Sequence, residues 1–171
     1  MNIDIDRYAI RSLRADDAAA LARHANNHEI WLAMTDSFPH PYRLADAERW
    51  LALMVDQKPE TCFAIADDEG LIGGVGLILG EDVYRTCAKL GYWLAQPYWG
   101  RGIATQVTVA MTRWGFQTFD LERIEAEVFD WNVASARVLE KAGYVLESRQ
   151  RNKIVKDGEL FDALLYVQLR R

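Results

Sequence analysis

The chain is poor in cysteine and proline and has no long hydrophobic run. Its 171 residues include only two cysteines, Cys62 and Cys87, and four prolines. Two widely separated cysteines form neither a disulfide framework nor a C-x-x-C motif, so we expect reduced thiols. The longest apolar run, 71–80, is far shorter than the roughly 20 residues that cross a bilayer, and the acidic start, 1–6, lacks a signal-peptide core. These absences predict a cytoplasmic protein without membrane attachment.

Positive charge is also scarce. Lysine and arginine total 20 against 25 aspartate and glutamate, which leaves a net charge of -5. Binding to nucleic acid needs a basic face, so we predict no nucleic-acid partner. The acidic balance is compatible with an amine substrate. No repeat, linker or low-complexity tract divides the chain, and we predict one domain, 1–171, without a metal site.

The pattern of apolar residues predicts strands and helices that are mixed along the chain. In 123–129, for example, Ile124, Ala126 and Val128 alternate with polar residues, as expected of a half-buried strand. The predicted strands are 8–13, 62–66, 71–79, 89–95, 123–129, 144–153 and 160–169, and the predicted helices begin at Asp16 or cover 44–55, 102–119 and 132–141. The sequence therefore predicts an α+β (mixed α/β) fold with a central, mostly antiparallel sheet of six to seven strands and about four helices.

A glycine-rich turn joins one of these strands to the following helix. The segment 94–104 reads Leu-Ala-Gln-Pro-Tyr-Trp-Gly-Arg-Gly-Ile-Ala. Such a turn directs unpaired backbone N–H groups toward one point at the positive end of the helix dipole, where a pyrophosphate binds well. Gly100 and Gly102 would let a phosphate approach the backbone. The glycines alone are equally compatible with a tight connection, and the P-loop and dinucleotide motifs are absent.

Three motifs together resemble those of the GNAT acetyltransferase superfamily. Residues 99–104 are similar to its Q/R-x-x-G-x-G/A phosphate loop, although Trp99 stands where the general motif has Gln or Arg. Asn132, Ser135 and 140–144 resemble the N-x-x-S-x-x-x-x-E-K-x-G-F/Y signature of the ribosomal-protein N-terminal acetyltransferase (RimJ/RimL-like) branch. The resemblance extends over nearly the whole chain. It implies a GNAT-like fold with a splay between the fourth and fifth predicted strands, and an N-acetyltransferase activity.

The same resemblance implies acetyl-CoA as the acyl donor. The loop would hold the pyrophosphate through backbone amides and Arg101, and the end of the preceding strand would pair with the pantetheine arm. Asn132 would cap its helix and also contact the cofactor. The implied cofactor-binding residues are Trp93, Leu94, Trp99, Gly100, Arg101, Gly102, Ile103, Ala104, Asn132 and Ser135.

Ser135 is the leading candidate to donate a proton to the departing CoA thiolate. Its hydroxyl could instead bond back to the preceding helical turn. Tyr144 is a rival donor, for which core packing is the simpler interpretation. For the general base we name Glu127, and we leave alternatives open. These are Asp130, Glu81, Asp162 and His40, each of which could equally be a solvated polar group.

Aromatic residues of the first helices and their connecting loop are the expected acceptor-binding residues. They are Trp31, Phe38, His40 and Tyr42. The alternative for the tryptophan, phenylalanine and tyrosine rings is packing in the core, and His40 could simply be exposed. The acceptor implied by the branch is a protein N-terminal amine. A small amine, such as a polyamine, amino acid or aminoglycoside, and a non-catalytic acyl-CoA sensor remain alternatives. We expect a monomer or a homodimer.

Overall fold

A computed structural model describes residues 2–170, and it confirms the α+β (mixed α/β) class. The strands are β1 Asn2–Ile5, β2 Tyr8–Ser12, β3 Cys62–Asp67, β4 Gly70–Leu79, β5 Cys87–Leu94, β6 Arg123–Phe129, β7 Val145–Lys156 and β8 Glu159–Leu169. The helices are α1 Ala18–Ala25, α2 His28–Leu32, α3 Leu44–Met54, α4 Ile103–Thr118 and α5 Val133–Lys141. No helix within 2–170 has the length and apolar character needed to cross a membrane.

The eight strands are hydrogen-bonded in the order β1-β2-β3-β4-β5-β6-β8-β7. The pairs β1–β2, β2–β3, β3–β4, β6–β8 and β7–β8 are antiparallel. Strands β5 and β6 are parallel, and their pairing joins only 87–89 to 123–125. Both strands continue beyond that point, to Leu94 and Phe129. The pairing therefore ends early between the two strands for which a splay was expected.

One strand and one helix were missed by the sequence analysis, so the counts rise to eight strands and five helices within 2–170. Strand β1 has four residues, of which Ile5 is buried, and this is too short for alternation to be recognised. It pairs with β2 through a turn at which Asp6 has a positive φ of 53°. Helix α2 has five residues and begins where the Asn27 side chain accepts the amides of Glu29 and Ile30.

The backbone divides into two compact units. The first contains the described part of 1–76 together with 92–107, and the second contains 77–91 with the described part of 108–171. Strands β4 and β5 and helix α4 each contribute residues to both units. The organisation as a single domain stays a prediction.

Each unit buries apolar residues of its own. In the first, α1 and α3 contribute Leu21 and Leu51 to a core that also contains Ala64 and Leu71. In the second, the predicted alternation of β6 is confirmed, because Ile124, Ala126 and Val128 are all buried. Helix α4 approaches closely there. A Cβ added at Gly115 would lie 2.7 Å from Leu77 Cδ1, so a larger residue would have to push the helix away.

Candidate active site

The glycine-rich segment forms an ordered turn between β5 and α4. After β5 the amide of Ala95 donates to the Ile72 carbonyl at 2.8 Å, and a short 3-10 helix, Gln96–Tyr98, follows. Gly100 and Gly102 then adopt positive φ angles of 74° and 78°. These left-handed conformations favour glycine over any residue with a side chain. The sequence therefore needs both glycines to turn the chain into the helix.

The backbone around these glycines is open. A Cβ added at Gly100 or Gly102 would meet no heavy atom within 4 Å. The amide of Gln106 donates to the Gly102 carbonyl at 3.1 Å, so the N–H groups of 103–105 precede the helical ladder and have no acceptor within it. A ligand phosphate could thus approach the loop and accept bonds from these amides. The residues present fit the pyrophosphate of CoA.

Trp99 has a structural role at the start of the loop. Its indole Nε1 donates to the carbonyl of Leu94 at 2.7 Å, which joins the first loop residue to the last residue of β5. The side chain is nevertheless 45% exposed. An aromatic donor therefore closes the turn at the position where the general motif has Gln or Arg.

Tyr98 was missed by the sequence analysis, although it directly precedes the loop. Its hydroxyl donates to Asp67 Oδ2 at 2.6 Å, and this hydrogen bond is the main reason that the pKa of Tyr98 is raised to about 12. The Arg101 guanidinium carbon lies 5.3 Å from the centre of the Tyr98 ring. The sequence signal for Tyr98 is its place beside the loop. Asp67 gave no such signal, because it is 31 positions away.

Trp93 packs against the predicted acceptor loop. Its ring lies 6.0 Å from that of Phe38, which in turn lies 4.9 Å from that of Tyr42. The close fit of Trp93 depends on Gly74, where an added Cβ would lie 2.7 Å from the indole nitrogen. Tyr42 is buried, and burial is the main cause that raises its pKa to about 12. Its burial favours core packing, whereas Phe38 and Trp93 are half-buried.

Trp31 and His40 come together in a second aromatic group. Their rings are stacked at 5.6 Å, and His28 lies 5.4 Å from each of them. His28 was not among the predicted site residues, although His28 lies one helical turn before Trp31 on the same face of α2. His28 and His40 are exposed, so the group presents two imidazoles at the surface.

In the second unit Asn132 has the predicted capping role. Its side-chain Oδ1 accepts a hydrogen bond from the backbone N–H of Ser135 at 3.1 Å, and its backbone N–H donates to the Phe129 carbonyl. The end of β6 is thereby tied to the first turn of α5. Ser135 is half-buried in that first turn. The cap involves the backbone N–H of Ser135 and not its side-chain hydroxyl.

Tyr144 follows Gly143, whose φ is 93°, and it is only 3% exposed. Its hydroxyl shares a 2.7 Å hydrogen bond with Thr112 Oγ1 of α4. Burial together with this partner favours a packing role for Tyr144.

Three of the acidic candidates for the base are ion-paired to cations of β7. Lys153 contacts Glu127, and Arg149 contacts Asp130 at 2.9 Å and Asp162 at 2.6 Å. The amide of Asn152 and then Arg149 lower the pKa of Asp162 below its ordinary value. The fourth candidate, Glu81, is exposed. Asp130 and Asp162 are therefore both engaged by the same arginine.

The chain belongs to the GNAT acetyltransferase family. Residues 7–145 match the family described as "Acetyltransferase (GNAT) domain". The prediction of an acyltransferase of the GNAT type is thereby confirmed. Among curated relatives, YoaA of Bacillus subtilis (strain 168), an uncharacterized N-acetyltransferase, is 26% identical over 178 residues, which cover 96% of this chain and 94% of YoaA.

Solved structures of other acetyltransferases share the fold. The ribosomal-protein-S5-alanine acetyltransferase of Vibrio fischeri superposes with a TM-score of 0.85 at 22% identity, covering 99% of this chain and 96% of that one. The spermidine N-acetyltransferase of Vibrio cholerae, solved with CoA and spermine, has a TM-score of 0.80 at 22% identity, with 96% of each chain covered. At this level of identity the likeness shows the fold alone.

Proposed function

We propose that this enzyme transfers the acetyl group of acetyl-CoA to a primary amine in a ternary complex, and that it belongs to the RimJ/RimL-like branch. The observation that carries the proposal is the turn 99–104. It combines two left-handed glycines with open backbone and unpaired amides at the start of a 16-residue helix. Family membership supports the same donor. Because that donor is an intracellular metabolite, we also propose a cytoplasmic location.

The proposed reaction needs no covalent enzyme intermediate. The amine nitrogen attacks the thioester carbonyl carbon, the C–N bond forms, and the C–S bond breaks as the thiolate leaves. The amine loses one proton and the thiolate gains one, so a base and an acid are required. A backbone N–H directed at the thioester carbonyl would stabilise the oxyanion of the tetrahedral intermediate.

Ser135 is the proposed acid. Its position in the first turn of α5 is set by the Asn132 cap, and the residue is half-buried there. Tyr144 is the weaker alternative, since its hydroxyl is buried and bonded to Thr112. A serine hydroxyl is a poor acid in water, so its contribution would come from a hydrogen bond to the developing thiolate.

Glu127 remains the proposed base, acting directly or through water. Its carboxylate is partly exposed and paired with the Lys153 ammonium, whereas Arg149 engages both Asp130 and Asp162. Of these carboxylates, Glu127 has a single long, flexible cation to displace. An incoming ammonium could replace Lys153 and then give up its proton.

The proposed acceptor is a protein N-terminal amine, recognised by Trp31, Phe38 and His40. These side chains are half-buried or exposed and lie on or beside the loop after α2. Restrained aromatic rings offer contact area at little cost in conformational entropy. Tyr42 would support Phe38 from the core.

An acceptor screen tests this proposal. Release of CoA thiol from acetyl-CoA would be followed with N-terminal peptides in one set, and with spermidine, amino acids and aminoglycosides in another. We expect steady turnover with peptides. If only a small amine supported turnover, that amine would replace the protein N-terminus as the proposed acceptor. Tight CoA binding without turnover of any amine would indicate a sensor. A Gly102→Glu variant, assayed in parallel, controls for background hydrolysis.

A further inference from the structure

The segment just before the phosphate loop is organised around Tyr98. Its hydroxyl donates to Asp67 at the end of β3, and its ring makes an edge contact with Tyr8 at 6.4 Å between centroids. The imidazole of His24 makes a similar contact at 6.3 Å. Tyr98 is thus held by two hairpins and by helix α1, all in the first unit.

The carboxylate of Asp67 accepts three hydrogen bonds from neutral donors. Its Oδ1 accepts the amides of Glu69 at 2.9 Å and Gly70 at 3.2 Å, and its Oδ2 accepts the Tyr98 hydroxyl. These hydrogen bonds fix the carboxylate in the β3–β4 turn, with Oδ2 toward the Tyr98 hydroxyl. An acidic group so engaged is less able to turn toward a neighbouring cation.

The side chain of Arg101 packs on an aromatic ring and is not paired with an acidic residue of the described chain. Within 2–170 its guanidinium forms no salt bridge, and it lies over the face of the Tyr98 ring. Stacking on an aromatic ring orients a guanidinium without using its five N–H donors. The cation is therefore oriented, charged and available to an anionic ligand.

We propose that Tyr98 and Asp67 form a positioning pair that orients Arg101 toward the pyrophosphate of CoA and keeps its charge from being neutralised inside the protein. The inference rests on the proposed function. It adds a role for two residues outside the motif, in which Tyr98 supplies the platform and Asp67 fixes the phenol.

A double-mutant cycle on the full-length chain tests the platform. CoA dissociation constants would be measured by calorimetry at fixed salt for wild type, Tyr98→Leu, Arg101→Gln and the double variant. We expect losses of about fivefold for Tyr98→Leu and about tenfold for Arg101→Gln, and no further loss in the double variant. Additive losses would overturn the inference, because they would mean that Tyr98 acts independently of Arg101.

A second pair of variants tests the role of Asp67 and does not depend on losing the ring. Tyr98→Phe keeps the platform but releases the carboxylate, which can then compete for Arg101, so CoA affinity should fall about threefold. Adding Asp67→Asn to this variant removes the competing carboxylate and should restore CoA affinity. A merely structural role would predict that the second change worsens binding, and that result would overturn the inference.

Two readouts separate this inference from the proposed function. Pantetheine lacks the pyrophosphate, so wild type and all variants should bind it with equal affinity. If the variants lost pantetheine affinity as much as CoA affinity, the role assigned to Arg101 would be contradicted. In turnover assays the Michaelis constant for acetyl-CoA should rise while kcat is kept. If the wild-type protein bound no CoA, both proposals would be overturned. If it bound CoA but the affinity losses of Tyr98→Leu and Arg101→Gln were additive, only the inference would be overturned.

Discussion

The phosphate loop of the first unit and the α5 segment of the second unit both contain predicted site residues but differ in their polar contacts. In the loop, Gly100 and Gly102 have open space around them and Arg101 has no salt-bridge partner within 2–170. In the α5 segment, the Asn132 side chain caps the helix and the Tyr144 hydroxyl bonds Thr112. Substitutions in the loop should therefore affect ligand binding first, and those around α5 should affect stability or the chemical step.

The largest effect is expected from Gly102→Glu. The added carboxylate would occupy the space open to a phosphate and repel it, so CoA affinity should fall by at least about 100-fold, or about 2.8 kcal/mol. Calorimetry with CoA measures the change. Gly158→Glu is a matched control, because Gly158 has a φ of 80° and equally open surroundings in the β7–β8 turn. Equal CoA binding by the two variants would contradict the loop assignment.

A large effect on turnover alone is expected from Ser135→Ala. Loss of the proposed acid should lower kcat by about 100-fold while the CoA dissociation constant changes less than about twofold. The backbone cap survives, because Asn132 binds the Ser135 amide. Asn132→Ala provides the contrast, with an expected loss of about 1 kcal/mol in the free energy of unfolding. An unchanged kcat, with chemistry shown to limit the rate, would move the acid role to Tyr144 or water.

A moderate effect on the acceptor is expected from Phe38→Ala. Removal of this half-buried ring should raise the acceptor Michaelis constant about fivefold and leave CoA affinity nearly intact. Thermal unfolding would be measured beside the kinetics. Leu51→Ala, in the core, should instead cost about 2–5 kcal/mol of stability without altering the Michaelis constant. If Phe38→Ala behaves like Leu51→Ala, the ring is a core residue and not an acceptor contact.

The smallest effect is expected from Arg149→Met and is confined to pH values above the ordinary pKa of an aspartate. The pKa of Asp162 lies below its ordinary value because of the Asn152 amide and then Arg149. Such a carboxyl stabilises the fold above its ordinary pKa and loses that effect as the pH falls. The variant should therefore be slightly less stable than wild type at pH 7, and the difference should disappear as the pH falls below about 4, where the carboxyl becomes protonated. Thermal unfolding at pH 7 and at acid pH measures the change. Arg113→Met, on the exposed side of α4, is the control, and equal stabilities of Arg149→Met and wild type at pH 7 would contradict this role of Arg149.

Local patterns predicted most of the fold. The bounds 123–129 of β6 were predicted without error, because alternation over seven residues leaves one reading. Strand β1 and helix α2 were too short to show a period, and they depend on pairing with β2 and on the Asn27 cap. The turn around Gly100 and Gly102 was also predicted, since glycine spacing and a strand-to-helix junction are local features.

The sequence by itself determined the family, the order of the longer strands and helices, and the turn whose glycines leave backbone open to a phosphate. Only the tertiary structure decided which polar groups already have partners. Arg149 with Asp162, Lys153 with Glu127, and Tyr98 with Asp67 are pairs formed across strands and turns. Such contacts depend on register and side-chain direction, which no single stretch of sequence contains. For that reason the sequence left Asp130, Glu81 and Asp162 open beside Glu127, whereas the structure shows which of these acids are paired with cations.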